Sequence, residues 1–382
     1  MPVTEADLKV DLSLAEIGAQ LPLLSLVTPI NVPEARTAFI AGEDPVFLYR
    51  ELPDLDAIAN QLDAVDPTSA DDPTVSHLAE GLSKELRLRI ELLRNRNTEQ
   101  AFFVAVELFG HVEDQTLAIA EQILRAPAEK ETAELVLNAE EFAAVASDEI
   151  ARYRATYPEL AAKVHLSDNR PGVLVEAGDL YIGTRTRVAS VDVPGLLAHE
   201  VGTHVLTFAN GRDQPLQMLS LGLAGYDELQ EALGVLGEHL TGGIAPSRLR
   251  TLASRVKAAH LRSRGSSFRE THEELVAFGF TRREAFTTVM RAFRGGGTTK
   301  DAIYLRGLVR LLDHLRTGTD LSSLYLGKIS FEAIPLIADL TARGVLGDPP
   351  LRPAFLDEVG AQEKLEAIKN GALLIDLGGR AA

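Results

Sequence analysis

The chain has 382 residues, 46% of them hydrophobic and 24% charged, which is enough for a large core. It contains no cysteine, which excludes disulfide staples and thiolate metal sites, so any metal must be held by its nine histidines or by carboxylates. A formal net charge of −17 argues against nucleic acid or an anionic membrane as partner. The N-terminal stretch has no basic segment ahead of an apolar run, and no run approaches the ~18 apolar residues of a bilayer span. The expected location is therefore cytoplasmic.

In chain order, residues 1–135 read as a mainly helical region. An apolar stretch over 12–26 is interrupted by Gly18 and Pro22, a short amphipathic helix follows over 55–62, and residues 77–94 carry apolar side chains at helical spacing. Further helices are expected over Glu99–Phe109, stopped by Gly110, and over 114–124. This region offers no site, and His77 and His111 read as surface or capping residues. Residues 131–157 read as one or two helices closed by Pro158. Segments 173–177 and 180–182 then flank Gly178-Asp179 like a hairpin or two short strands. The free edge of such a strand can hold a peptide by main-chain hydrogen bonds.

The most informative stretch is LLAHEVGTHVLTF, residues 196–208. Metallopeptidase helices carry H-E-x-x-H, which puts two imidazoles on one face with the Glu beside them as general base. Here His199 and His204 are one residue further apart. At about 100° per residue, i and i+5 diverge by about 140°. Both can reach one zinc only if the helix is locally widened to a π-type turn, and Gly202 between them eases the distortion. Asp192 is expected to cap this helix, Pro194 to fit its first turn, and Asn210-Gly211 to end it.

A second helix, YDELQEALGVLGEHL, is expected to start at Asp227, which has capping-box spacing to Gln230. Glu228, Glu231 and Glu238 line one face. A catalytic zinc takes three protein ligands and keeps one position open. Spacing leaves that third ligand among Glu228, Glu231, Glu238 and His239. Residues 248–264 read as a basic amphipathic helix, with His260 and His272 at the surface. Gly295-Gly296-Gly297, between Arg294 and Lys300, can present backbone N–H groups and a lysine to an anion. Phosphate without a P-loop pattern, a peptide C-terminal carboxylate, or no ligand at all are the alternatives. His314 reads as a core-edge residue, and two helices, over 331–342 and near 358–369, close the chain.

Taken together, HEVGTH (199–204), NG-x-x-QPL (210–216), GLAGYDELQEALGVL (222–236) and RGGGTTKD-x-x-YLRGL (294–308) resemble one family. It comprises the bacterial flavohemoglobin expression-modulating QEGLA-motif proteins and the animal microtubule-associated tyrosine carboxypeptidases. The resemblance implies an α+β, predominantly helical fold, with a zincin-like metallopeptidase core and a small β-sheet beside the H-E-x-x-x-H helix. The implied organisation is a helical region over 1–135, a catalytic region over 136–345 and a helical tail over 346–382. It implies one Zn2+ per chain on His199, His204 and Glu231, with Glu200 as catalytic base. Glu231 belongs to QEALG, which departs from the family's Q-E-G-L-A box at Ala232 and Gly234.

The function expected is that of a zinc peptidase acting on a peptide or protein C-terminus. A metal-dependent hydrolase of another amide or ester and a non-catalytic zinc-binding regulator are the alternatives. Oxyanion donors are sought among Tyr226, Tyr304, Arg185 and Arg187, and a receptor for the substrate carboxylate at Lys300 and Arg294. Neither nucleic acid nor a membrane is an expected partner.

Overall fold

The computed structural model describes residues 3–126, 136–168, 170, 172–242 and 244–372. The first residues of the helix expected over 131–157, and the Gly243 stop of the second helix, lie outside the described residues. Among the described residues the fold is predominantly helical with two small sheets.

The N-terminal stretch Glu5–Ile40 is, by length and hydropathy, apolar enough to cross a membrane, contrary to the sequence expectation. It folds as three helices, Glu5–Ala19, Leu23–Val27 and Val32–Ile40. Its apolar residues Val10, Leu14 and Ile17 join the main core. Two buried acids tie it down. Asp7 accepts from the Asp72 amide at 2.9 Å, and Asp11 accepts from the amides of Gln217 and Met218 at 2.6 and 2.7 Å. Carboxylates at these positions pin a core helix to neighbouring backbone.

The longest N-terminal helix, Pro73–Arg94, starts where Asp72 caps the Thr74 and Val75 amides and Pro73 needs no donor. Its buried stripe of Val75, Leu78, Leu82, Leu86, Ile90 and Leu93 repeats every three to four residues and faces the main core. A smaller aromatic core gathers Phe39, Phe268 and Phe286. His272 belongs to it: it is buried, its ring meets Phe39 edge-on, and Nε2 lies 3.0 Å from the Arg282 carbonyl oxygen. The surface position expected for it is wrong, because its neighbours come from segments far apart in sequence.

Strand Asp179–Gly183 is the centre of a three-stranded sheet, parallel to Val164–Ser167 and antiparallel to Val173–Glu176. The hairpin turn falls at Ala177-Gly178, both with positive φ, one residue earlier than expected. Strand Val173–Glu176 is an edge and packs beside the histidine-bearing turn. Helix Ala139–Thr156, opened by an Asn138–Glu141 capping box, covers the sheet through Phe142, Ala146 and Ile150.

The histidine helix runs without a break from Val193 to Asp213, through the π-helical turn Glu200–Val205. Its start follows a 3-10 turn, and Asp192 makes no capping hydrogen bond. It does not stop at Asn210-Gly211. Asn210 is buried and its amide clamps the Tyr325 and Leu351 carbonyls and the Leu351 amide. Val201, Val205 and Leu206 face the sheet core, while Ala198 belongs to the main core. The histidines therefore sit on the seam between two packed bodies.

On the main-core side lies helix Tyr226–Gly242, whose Leu229, Ala232, Leu233, Val235 and Leu236 are all fully buried. A helix apolar on most sides must be central. Helix Ile303–Arg316 packs closely along it, and a Cβ at Gly307 would come within 2.5 Å of the Glu228 carbonyl oxygen.

Candidate metal centre

One atom each from His199, His204 and Glu231 lies within 4.8 Å of the others. Glu231 Oε2 is 3.6 Å from His199 Nε2 and 3.9 Å from His204 Nε2. The imidazole centroids are 5.1 Å apart at 68°. A regular α-helix cannot do this with a five-residue interval. The π-turn adds a residue per turn and rotates His204 back toward His199. Thr203, wholly buried, braces the turn by donating from its hydroxyl to the Ala198 carbonyl at 3.0 Å.

Of the four acids and bases open as third ligand, only Glu231 joins the cluster among the described residues. Glu228 is bound by Arg306 at 2.7 and 3.0 Å and by Arg310 at 3.3 Å. Glu238 lies 2.7 Å from His199 Nδ1 and is itself gripped by Arg248 at 2.7 and 2.9 Å. A carboxylate on the far nitrogen of a ligating imidazole fixes its tautomer and orientation. The expected "carboxylate face" of this helix is thus three separate engagements. A Cβ at Gly234 would lie 2.7 Å from Cε1 and Nδ1 of His199, so this glycine is the seat of the imidazole. The sequence could have shown Gly234 only as a helix-weakening residue.

Electrostatics follow from burial and neighbours. Burial works against a charged His199, but Glu231 and Glu238 outweigh it and hold the ring up at about 10. Burial pulls His204 down to about 4. Burial pushes Glu231 up, and the two imidazoles and Lys300 more than reverse it, leaving its carboxylate well below the usual range. Glu200 is buried, and that burial pushes it up to about 7. Two imidazoles and a carboxylate, with no thiolate and with the second imidazole nitrogen braced, form a donor set that fits a zinc of the hydrolytic kind.

The other expected site residues separate into groups. Lys300 Nζ donates to Asp227 at 2.6 Å, so Asp227 is not a cap, and the helix starts one residue earlier at Tyr226. Arg294 is buried and pairs with Asp301 at 3.5 Å. Tyr304 and Tyr226 both feel the charge of Glu231. Arg185 and Arg187 are exposed ahead of the histidine helix, and Arg187 donates to the Thr186 carbonyl. Two amides of the glycine loop are already engaged. Gly295 donates to the Tyr49 hydroxyl and Gly297 to the Arg294 carbonyl. Lys328, missed in the sequence, stands over the Phe208 and Tyr226 rings and acts electrostatically on His204.

The sequence profile described as "Microtubule-associated tyrosine carboxypeptidase" matches residues 38–372. A similar curated protein is microtubule-associated tyrosine carboxypeptidase 1 of Homo sapiens, 29% identical over an alignment of 208 positions that covers 48% of this chain and 42% of the human protein. The chain thus spans less than half the length of that relative. With nearly the whole described chain inside the profile and the His–His–Glu cluster at its centre, the chain belongs to the microtubule-associated tyrosine carboxypeptidase family.

Proposed function

We propose that this protein is a zinc-dependent carboxypeptidase that removes the last residue of a peptide or protein, with a C-terminal tyrosine as the first substrate to test. The observation that carries the reading is the convergence of His199, His204 and Glu231 within 4.8 Å, across a π-turn. Family membership supports peptidase chemistry.

His199, His204 and Glu231 would hold the metal. When bound, zinc supplies a Lewis acid that lowers the pKa of water and polarises a carbonyl. The rest is done by the chain. Glu200, next to His199 on the π-turn and buried, takes the proton of the attacking water and returns it to the leaving amine. Tyr304 and Tyr226 stay protonated: burial and Glu231 raise the first, the Asp227 charge and burial the second. Their hydroxyls are the donors for the developing oxyanion. The edge strand Val173–Glu176 lies beside the π-turn and would pair with an extended substrate main chain. The zincin likeness and a cytoplasmic location belong to the same proposal.

The test is a mass-spectrometric screen of peptides differing in the C-terminal residue, run with and without a chelator, on wild type, Glu200→Gln and His204→Ala. Loss of one residue per cleavage, abolished by chelator and by Glu200→Gln, is expected. Cleavage that survives chelation would end the metallopeptidase reading. Stoichiometric zinc with no hydrolysis would favour a binding role.

A further inference from the structure

Helix Pro246–Ser263 carries Arg248, Arg255 and Arg262 at seven-residue intervals. Seven residues are close to two helical turns, so the three share one face. The outer two have acceptors: Arg248 binds Glu238, and Arg262 donates to the Gly296 carbonyl at 2.9 Å. The middle one has none. Among the described residues Arg255 makes no hydrogen bond or ion pair; its guanidinium lies over the Tyr304 ring, Cζ 4.9 Å from the centroid.

The surroundings of Arg255 are already too positive. Arg291 donates to Asp301 at 2.9 Å, and Arg294 pairs with the same carboxylate at 3.5 Å. The side chains of Arg294 and Asp301 are only 3% and 4% exposed, and among the described residues Arg294 Nε and Nη2 have no hydrogen-bond partner. Three guanidiniums therefore gather around one buried carboxylate, which only Arg291 and Arg294 reach. Buried charge is tolerated when it is paired, and here a second acid is missing. Burial and then the Arg291 charge pull Arg255 down to about 10, as expected for an uncompensated cation.

This cluster borders the metal centre. The Glu231 charge acts on Arg291 and Tyr304, and Arg248 on the shared arginine face holds Glu238 against His199. In a peptide, the terminal carboxylate follows the last scissile carbonyl by about one residue, ~3.3–3.6 Å of extended chain. Its receptor must stand in the layer of side chains just outside the ligands. Lys300, the sequence candidate, is committed to Asp227.

We propose that Arg255, backed by Arg291 and Arg294 and stacked on Tyr304, is the receptor for the free α-carboxylate of the substrate's C-terminal residue. A planar guanidinium fork matches a carboxylate in two parallel hydrogen bonds, which a lysine cannot do. The assignment rests on the carboxypeptidase reading, and it would restrict the enzyme to the last bond of a chain.

The test uses the full chain and fluorescein-labelled peptides ending in tyrosine, either as the free acid or as the C-terminal amide. Binding is measured by anisotropy on the Glu200→Gln protein, with and without Arg255→Gln or Arg255→Lys, and cleavage on the wild-type background. Glu200→Gln should bind the acid about 100-fold more tightly than the amide, the factor expected for losing one partner of a buried charge pair. Arg255→Gln should erase that preference, and in cleavage should raise KM for the acid more than it lowers kcat. Arg255→Lys should restore part of it. Unchanged zinc content and circular dichroism guard against misfolding.

Unchanged acid-over-amide preference in Arg255→Gln would overturn the assignment while leaving the peptidase reading intact. Acid-selective binding through Arg255 without any cleavage would support the receptor and sink the peptidase reading. A third peptide, amidated but with glutamate before the tyrosine, separates the sources. If it binds as tightly as the acid, and through Arg255, the site takes an acidic side chain and the α-carboxylate assignment falls.

Discussion

Replacing Gly234 by alanine separates a seat for an imidazole from an ordinary helix position. In a helix interior glycine is about 1 kcal/mol less favourable than alanine, so the bare expectation is stabilisation. The structure reverses the sign. The new Cβ would lie 2.7 Å from Cε1 and Nδ1 of His199 and 2.8 Å from Nε2, where ordinary contacts need ~3.5–4.0 Å. The ring cannot slide away freely, because Nδ1 is held by Glu238 at 2.7 Å. Overpacking costs ~1–3 kcal/mol, and giving up a hydrogen bond to a charged partner ~1.5–3 kcal/mol. Set against the helix gain, the net loss is about 1.5–5 kcal/mol. Zinc affinity should fall by ~10–100-fold or more, since a ligand is pushed off line. The assays are calorimetric unfolding of metal-free protein and competition for zinc with a chromogenic chelator. Gly81→Ala is the control. It lies mid-helix with only the Ala224 Cβ at 3.5 Å, and should gain up to ~1 kcal/mol. If Gly234→Ala behaves like Gly81→Ala and keeps its zinc affinity, the seat argument is refuted.

Glu238→Gln keeps the shape but removes the charge that orients His199 and balances Arg248; zinc affinity should drop by ~10–100-fold with the ligands intact, read by the same chelator competition. No change would mean that Glu238 only anchors Arg248. Asp11 gives a pH signature. Burial pushes its carboxyl up to about 6, above the unfolded value of 3.8, so the folded state binds more protons between those values. Its contribution to stability is full below pH ~4, declines through pH ~4–6 and is flat above, an interval worth ~3 kcal/mol. Unfolding free energies of wild type minus Asp11→Asn should therefore fall by about that much from pH 4 to 7; a difference that rises or stays flat rules out the sign. Asn210→Ala should cost ~2–4 kcal/mol in denaturant unfolding, because three buried backbone groups of Tyr325 and Leu351 lose their partner. A loss under ~0.5 kcal/mol would show that water replaces the clamp.

The sequence by itself determined the local chemistry. HEVGTH announces two imidazoles and an acid, and its long interval demands a widened turn, because helical angles follow from residue count alone. Helix periodicity likewise marked Pro73–Arg94 and Tyr226–Gly242 closely, since their apolar spacing reflects a face that must be buried. Tertiary structure decided what the polar residues of those helices are for. Glu228, Glu231 and Glu238 share a face and a charge, and only the side chains opposite them distinguish an arginine clamp, a member of the His–His–Glu cluster and an imidazole brace. The same holds for the arginines at 248, 255 and 262. Their spacing was there to be read, but which of them lacks an acceptor depends on segments up to tens of residues away. A charged side chain's role is set by its partner, and partners are chosen by packing between elements rather than by order along the chain.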